Sequence, residues 1–337
     1  MKGDKTMFTE YKLINIDLQL FADLNTQVTS SDGLTDGMKT YYSDYLIDLV
    51  EAELVHDQFA QKHPIPQHGG KTIEFRQWDT LPEMTAPITE GVTPDGQSLS
   101  MSTIEATVEQ YGGYVTVSDM LELTHIDPVV VQATKAIASQ AGRSLDTITR
   151  EVLNSGTVVQ YAEGQVDSRS KLAYTSKETN HNLTVAAIKK AVRFLESQNA
   201  PKINGYYVGI LHPFTKYDLM NDPEWQKPHQ YCDTENIYAN EIGEIAGVRF
   251  VQSTRAKKFE GAGASGADVY STLILADDAY GVTEITGGGL EHIVKQRGSA
   301  GTADPLNQRS TIGWKATKVA ELLVPQYVVR IETTATP

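Results

Sequence analysis

The chain has 337 residues, of which 40% are apolar and 21% charged, a balance that supports a folded core rather than disorder. Its net charge is -14, from 43 acids and 29 bases, and residues 1 to 60 alone carry 11 acids against four bases, a surface that repels phosphate backbones and excludes direct nucleic-acid affinity as the main function. No run of 18 apolar residues offers a membrane span, and a single cysteine, Cys232, excludes a disulfide framework and a thiolate zinc site.

The opening MKGDKTMFTEYKLINIDLQLFAD has an apolar patch from Leu13 to Ala22. Asn15, Asp17 and Gln19 interrupt it and no convincing small-residue cleavage site follows, so a signal peptide is not expected. NTQVTSSDGLTDG then reads as a flexible arm. A helix is expected next, capped by Asp36 and stopped by Pro64, with Met38, Tyr41, Tyr42, Tyr45, Leu46, Leu49 and Val50 at helical spacing.

HGGKT, residues 68 to 72, looks like the end of a phosphate-binding loop. The first glycine of such a loop would fall at Ile65, and a helix should follow the lysine. Instead TIEFRQW alternates Ile73 and Phe75 with Thr72, Glu74 and Arg76, which is strand period. A turn feeding a strand from Lys71 to Trp78 is the simpler reading. Another strand is expected from Thr103 to Val117, with its apolar phase flipping across Gly112-Gly113 as at a bulge. Between them lie 24 residues, Asp79 to Ser102, with three prolines, two glycines, four acids and no base. So long an irregular connection is functional or lies outside the compact body. The two strands suggest a projecting hairpin, and a lone ribbon is not stable in water, so it should rest on something, such as another subunit.

A long helix follows, with Asp127 as cap, Pro128 at the first position and Gly156 as stop. Its apolar stripe is Val130, Ile137, Ala141, Leu145, Ile148 and Val152, and it spans roughly 40 Å at ~1.5 Å per residue. A second helix takes Thr184 as cap and buries Val185, Ile188, Val192 and Leu195. Strands are expected at 206–212, 247–253 and 270–277, a short helix at PFTKYDLMND, a turn at Gly287–Gly289, and a final strand region broken by Pro325.

Candidate chemistry does not converge. His56, His63 and His68 have neither zincin nor finger spacing. The acids beside Cys232 in HQYCDTEN disfavour a thiolate. Capping explains Asp127 after His125, and capping and turn formation explain Asp218 and Asp222 after His212. There is no G-x-S-x-G elbow and no spaced dinucleotide fingerprint. No catalytic, cofactor-binding or metal-binding residue is expected.

The order of parts, together with GKTIEFRQWDTLP, ITEGVTPDGQ, ATVEQYGGYVTVSDMLELTHIDPVV, LDTITREVLNSGT, ILHPFTKYDLMNDPEW, IGEIAGVRFVQS and DPLNQRSTIGWKA, resembles the tailed-bacteriophage major capsid proteins of the HK-97-type fold. The segments are similar to the branch related to the podovirus N-four capsid protein, and INIDLQLFAD to phage head proteins of Gram-positive hosts. The resemblance covers roughly residues 13 to 332 and implies an α+β fold: an arm and helix at 1–66, an extended loop at 67–118, a peripheral domain at 119–180 with 311–337, and an axial domain at 181–310. It implies a non-enzymatic subunit whose hexamers and pentamers tile an icosahedral virion shell around double-stranded DNA, without sequence-specific binding and without a membrane. The shell would assemble in the bacterial cytoplasm beside a portal. The loop would lie across a neighbour, with Arg76, Trp78, Glu83 and Glu90 as contacts.

Some members of that fold crosslink through a loop lysine, whereas none occurs here between Lys71 and Lys135. A non-covalent shell is therefore expected, helped by a cement protein. The short arm points to a separate scaffolding protein. Competing readings are an encapsulin-like compartment, a P-loop or metal-dependent enzyme, and a β-rich tail or adhesion protein. The long helix and α/β second half argue against the last.

Overall fold

The computed structural model describes residues 54–64, 71–78, 81–85, 87–88, 90–91, 93, 95–124, 129–162, 166–174, 181–229, 241–284, 290–299, 301 and 304–336. All of them fall in one compact unit, Tyr45–Pro337. In chain order they form β1 (Gln61–His63), β2 (Thr72–Trp78), β3 (Met101–Thr107), β4 (Glu109–Ser118), α1 (Asp119–Thr124), α2 (Val129–Ser155) and β5 (Val159–Tyr161). Then come α3 (Val185–Ser197), β6 (Tyr207–Leu211), α4 (Pro213–Asn221), α5 (Pro223–His229), β7 (Glu241–Ile245), β8 (Val248–Gln252) and β9 (Lys258–Phe259). The chain finishes with β10 (Val269–Leu275), β11 (Tyr280–Thr283), β12 (Leu290–Lys295), β13 (Arg309–Lys318), β14 (Ala320–Leu322) and β15 (Val328–Thr333).

The largest sheet has the order β5-β15-β10-β6-β8-β7, with β9 pairing β10. Its central strands are buried at nearly every position because both faces are covered. Tyr207, Leu211, Phe250, Ile274, Val329 and Ile331 meet the stripe of α3 on one face. Val208, Ile210, Val251, Leu273 and Leu275 meet Leu153 of α2 and Tyr280 and Val282 of β11 on the other. Thr184 caps α3 as its position predicts, its hydroxyl accepting from the Ala187 N–H at 3.3 Å.

The long helix α2 ties this sheet to a second one. Its last turns pack Leu153 on the large sheet, while Ile137, Ala138, Ala141 and Leu145 pack on Leu290, Ile312, Trp314 and Ala316 of the sheet β12-β13-β4. A small sheet, β1-β11-β14, and the hairpin β2-β3 complete the strands.

Three expectations change. The helix expected up to Pro64 does not extend through Val55–Ala60, which is a turn, and β1 follows, parallel to β11. The turn sends Val55 and Phe59 into the large sheet's core and frees His56 and Asp57 to face α2, which one helix face could not do. The expected helix face from Met38 to Val50 lies outside the described residues, as do the cap at Asp127 and the turn at Gly287–Gly289.

The strand expected from Thr103 to Val117 is two strands. β3 pairs with β2 up to Thr107, and β4 pairs with β13 from Glu109 in unbroken register through Gly112 and Gly113. The change of apolar phase is real but sits at Val108, where the chain changes partner. The two glycines answer a different need: a Cβ on Gly112 would lie 2.8 Å from the Trp314 carbonyl oxygen, and one on Gly113 would lie 2.9 Å from Gln140 Oε1. They let β4 lie close against Trp314 and α2.

The pairings also cross the expected domain limits. Residues 290–295 join β13 and β4 rather than the large sheet, and 328–333 lie within the large sheet between β5 and β10.

Candidate subunit interface

The hairpin β2-β3 is seven rungs long, from Thr72 opposite Thr107 to Trp78 opposite Met101, or roughly 23 Å at ~3.3 Å per residue. Its base is fixed to the body. Ile73, Phe75, Ala106 and Val108 are buried together against Val319 and Leu323. Phe75 also meets the His63 ring edge-on at 4.8 Å and lies over Gly281, where a Cβ would come within 2.4 Å of its ring. Its described far end is exposed. Met101 is exposed, and Leu81, Met84, Ile88 and Leu99 of the connection beyond it are exposed as well, Ile88 by 75%. Gln97 donates to the Pro82 carbonyl at 3.2 Å, which draws the two limbs of the connection together.

The sequence-predicted contact residues fall on this feature. Arg76 stands on the exposed face of β2, with Glu74 at 3.3 Å, an open ion pair that adds little stability. Trp78 is the last rung. Glu83 and Glu90 are exposed in the connection, and no described contact joins them to Arg76. Large apolar side chains exposed together on one feature mark interaction surfaces.

A second such surface escaped sequence reasoning. Tyr114 and Val115 of β4, Met120, Leu121 and Leu123 of α1, and Leu306 are all exposed, Tyr114 by 75% and Leu123 by 79%. The Asp119 N–H donates to the Gln308 carbonyl at 3.0 Å, bringing the 306–308 turn beside α1. The legible signal was DMLELT, a six-residue helix too short to bury its three large apolar side chains. On α4, Phe214, Tyr217 and Met220 are exposed at helical spacing.

A buried polar cluster joins segments distant in sequence. Lys318, the last residue of β13, is 1% exposed and donates to Asp57 and, at 3.0 Å, to the Leu145 carbonyl. Asp57 also accepts from the Thr149 hydroxyl. The His56 N–H donates to Asp146 Oδ1 at 2.9 Å, and His56 Nδ1 lies 2.9 Å from Asp146 Oδ2. The Tyr280 hydroxyl donates to the His56 carbonyl, and burial, with the charges of Asp57 and Asp146, pushes its pKa well up, so it stays a donor. Burial alone would raise the Asp146 carboxyl, but the hydrogen bonds and charge of His56, aided by Lys318, outweigh it and hold the group below the usual carboxylate range.

A carboxylate with a depressed folded pKa contributes stability above its unfolded pKa and loses it as pH falls through the folded one. Stability should therefore decline below about pH 4. In urea titrations across this range, Asp146→Asn should show a flatter pH dependence than the wild type; an unchanged slope would remove Asp146 from the acid response.

The other sequence candidates take structural places. Lys71 leads into β2, so no helix amides face it. His212 caps α4, its Nδ1 accepting from the Phe214 N–H at 3.3 Å, and burial with the charge of Lys258 pushes its pKa down. Asp218 accepts from the Thr336 N–H at 3.0 Å, and Asp222 accepts from the N–H groups of Val185 at 3.0 Å and Glu224 at 2.8 Å. His68, His125 and Cys232 lie outside the described residues. No described helix is long and apolar enough to cross a membrane.

Solved phage shells share this fold. The capsid of Ralstonia phage GP4 matches with a TM-score of 0.62 at 15% identity, over 80% of this chain and 85% of that one. The capsid of cyanophage P-SCSP1u matches at 0.57 and 14%, over 84% and 89%. The capsid asymmetric unit of cyanophage Pam1 matches at 0.56 and 16%, over 79% and 85%. The fold is the HK-97-type capsid fold. A search of curated proteins by sequence finds no match. A family model described as phage capsid protein matches residues 101–331, and the chain belongs to that family. It is a structural protein of the phage head, a virion component that associates with copies of itself.

Proposed function

We propose that copies of this chain form hexamers and pentamers that close an icosahedral head around double-stranded DNA, with residues 67–118 lying across the adjacent subunit. The observation that carries this reading is the hairpin β2-β3, buried at its base and lined with exposed Leu81, Met84, Ile88 and Leu99 beyond Trp78. A ribbon of that length with an exposed apolar end is completed by a neighbour. Arg76, Trp78, Glu83 and Glu90 would sit at that contact. The sheet pairings favour regrouping the parts, with β4, α1, α2, β12 and β13 as the peripheral domain. The large sheet, including β15 and the helices α3 to α5, forms the axial domain.

The acidic balance suits a container that must not hold its DNA against the wall. The absence of lysine from 72 to 134 supports a non-covalent shell, with a cement protein as reinforcement. A scaffolding protein and a portal complete the proposed assembly. To test this, the purified chain is run on a sizing column with and without a candidate scaffold, and the void fraction is imaged in negative stain. Closed shells that need the scaffold, running as one monomer band on a denaturing gel, are expected. A small oligomer under every condition would contradict the shell, a ladder of covalent oligomers the non-covalent contact, and closed shells without scaffold the need for that partner.

A further inference from the structure

The large sheet ends at β5, which has no second neighbour among the described strands. Its inner side is occupied: the Arg330 N–H donates to the Val158 carbonyl at 3.1 Å, and the Ala162 N–H to the Glu332 carbonyl at 3.0 Å. Backbone groups of a strand alternate in direction, so Val159 and Tyr161 turn theirs outward. The edge is also held firmly. Glu332 of β15 is fully buried and gripped by Arg169 through two hydrogen bonds of 2.7 and 2.6 Å, a bidentate pair.

Beside this edge is a groove of about 580 Å³, lined in part by Val159, Tyr161, Val166, Lys190, Arg193 and Phe194. Lys190 and Arg193 stand three apart on α3, so they share a face, and both are exposed. The neighbouring Lys189 is neutralised by Glu224 at 2.6 Å, whereas Lys190 and Arg193 have no ion-pair partner among the described residues. A sheet edge and two cations without partners among the described residues, over an apolar floor, define a receptor for an extended acidic segment, added as a strand.

We infer that this groove receives the β2-β3 connection of a second copy, residues 81–100, with Glu83 and Glu90 opposite Lys190 and Arg193. The inference rests on the shell-subunit reading and names where its loop lands. The segment fits in three ways. Residues 79–102 carry four acids and no base, the complement of the groove. The described residues of 81–100 have no helix or strand of their own, and Leu81, Met84, Ile88 and Leu99 are exposed and available to Val166 and Phe194. Pro82, Pro87 and Pro94 lack an N–H, which an outermost strand tolerates and a central one does not.

The test is a charge swap in cells that also express the remaining head genes, with particle yield read by sedimentation. The wild type is compared with Lys190→Glu/Arg193→Glu, with Glu83→Lys/Glu90→Lys, and with all four changes together. All four positions are exposed, and circular dichroism of each purified chain checks its fold. Each reversed pair should lower particle yield at least about tenfold by placing like charges together, and the combination should restore it to within about threefold. Particles at wild-type yield from the Lys190/Arg193 variant would overturn the inference. So would a combination as poor as its parents, which would give the groove to another occupant. Absence of particles from the wild type would overturn the shell reading and this inference with it.

Discussion

Asp57→Ala should destabilise the folded chain by about 3–5 kcal/mol, measured by urea unfolding near neutral pH. Lys318 is fully buried, and removal of Asp57 leaves its ammonium with only the Leu145 carbonyl among its described partners. A charge stranded in a low-dielectric interior costs far more than the pair contributes when intact. The reciprocal Lys318→Met should cost a similar amount, because Asp57 would keep only the Thr149 hydroxyl among its described side-chain partners. The double variant Asp57→Leu/Lys318→Met removes both charges and should recover much of the loss. If each single change costs less than about 1 kcal/mol, the pair is not shielded from water and the cluster does not fix the 54–60 turn to α2 and β13.

Replacing residues 79–100 by Asn-Gly should abolish closed shells while leaving the subunit folded. Trp78 and Met101 are cross-strand partners, so a two-residue turn can join them without disturbing the rungs behind. The described part of the deleted segment is exposed throughout, so thermal unfolding of the subunit should move by no more than about 1 kcal/mol in stability. Shells should be missing from negative-stain images nonetheless. Normal shells from this variant would show that the connection is dispensable and would take the apolar residues beyond Trp78 out of the interface.

Much of this architecture could be read from local pattern. The helix α2 carries its own stripe and its stop at Gly156; α3 has its cap at Thr184, and β6 leads into α4 through His212-Pro213. In each, the signal and the structure it produces lie within one segment. Failures arose where long-range partners decide. Residues 55–60 carry apolar spacing that continues a helix, but His56 and Asp57 are claimed by Asp146 and by Lys318, 261 residues away from Asp57, and the chain turns to reach them. The phase change in 103–117 was visible, yet the glycines drew the break to 112–113. It belongs at Val108, because β4 pairs with a strand some 200 residues further on. The hairpin end, with Arg76, Glu83 and Glu90, was legible because a charged, proline-rich connection between alternating strands has no place inside a core. The patch around Tyr114, Leu123 and Leu306 was not, because Leu306 reaches α1 only through the strand order of β12-β13-β4.

The central claim is that this subunit closes a shell by laying its β2-β3 connection on a neighbour. A cryo-electron-microscopy reconstruction of purified particles tests it most directly. The account predicts hexamers and pentamers in which residues 81–100 of each subunit rest on the adjacent copy, beside Lys190 and Arg193. Particles in which 81–100 points into solvent or folds back on its own subunit would contradict it.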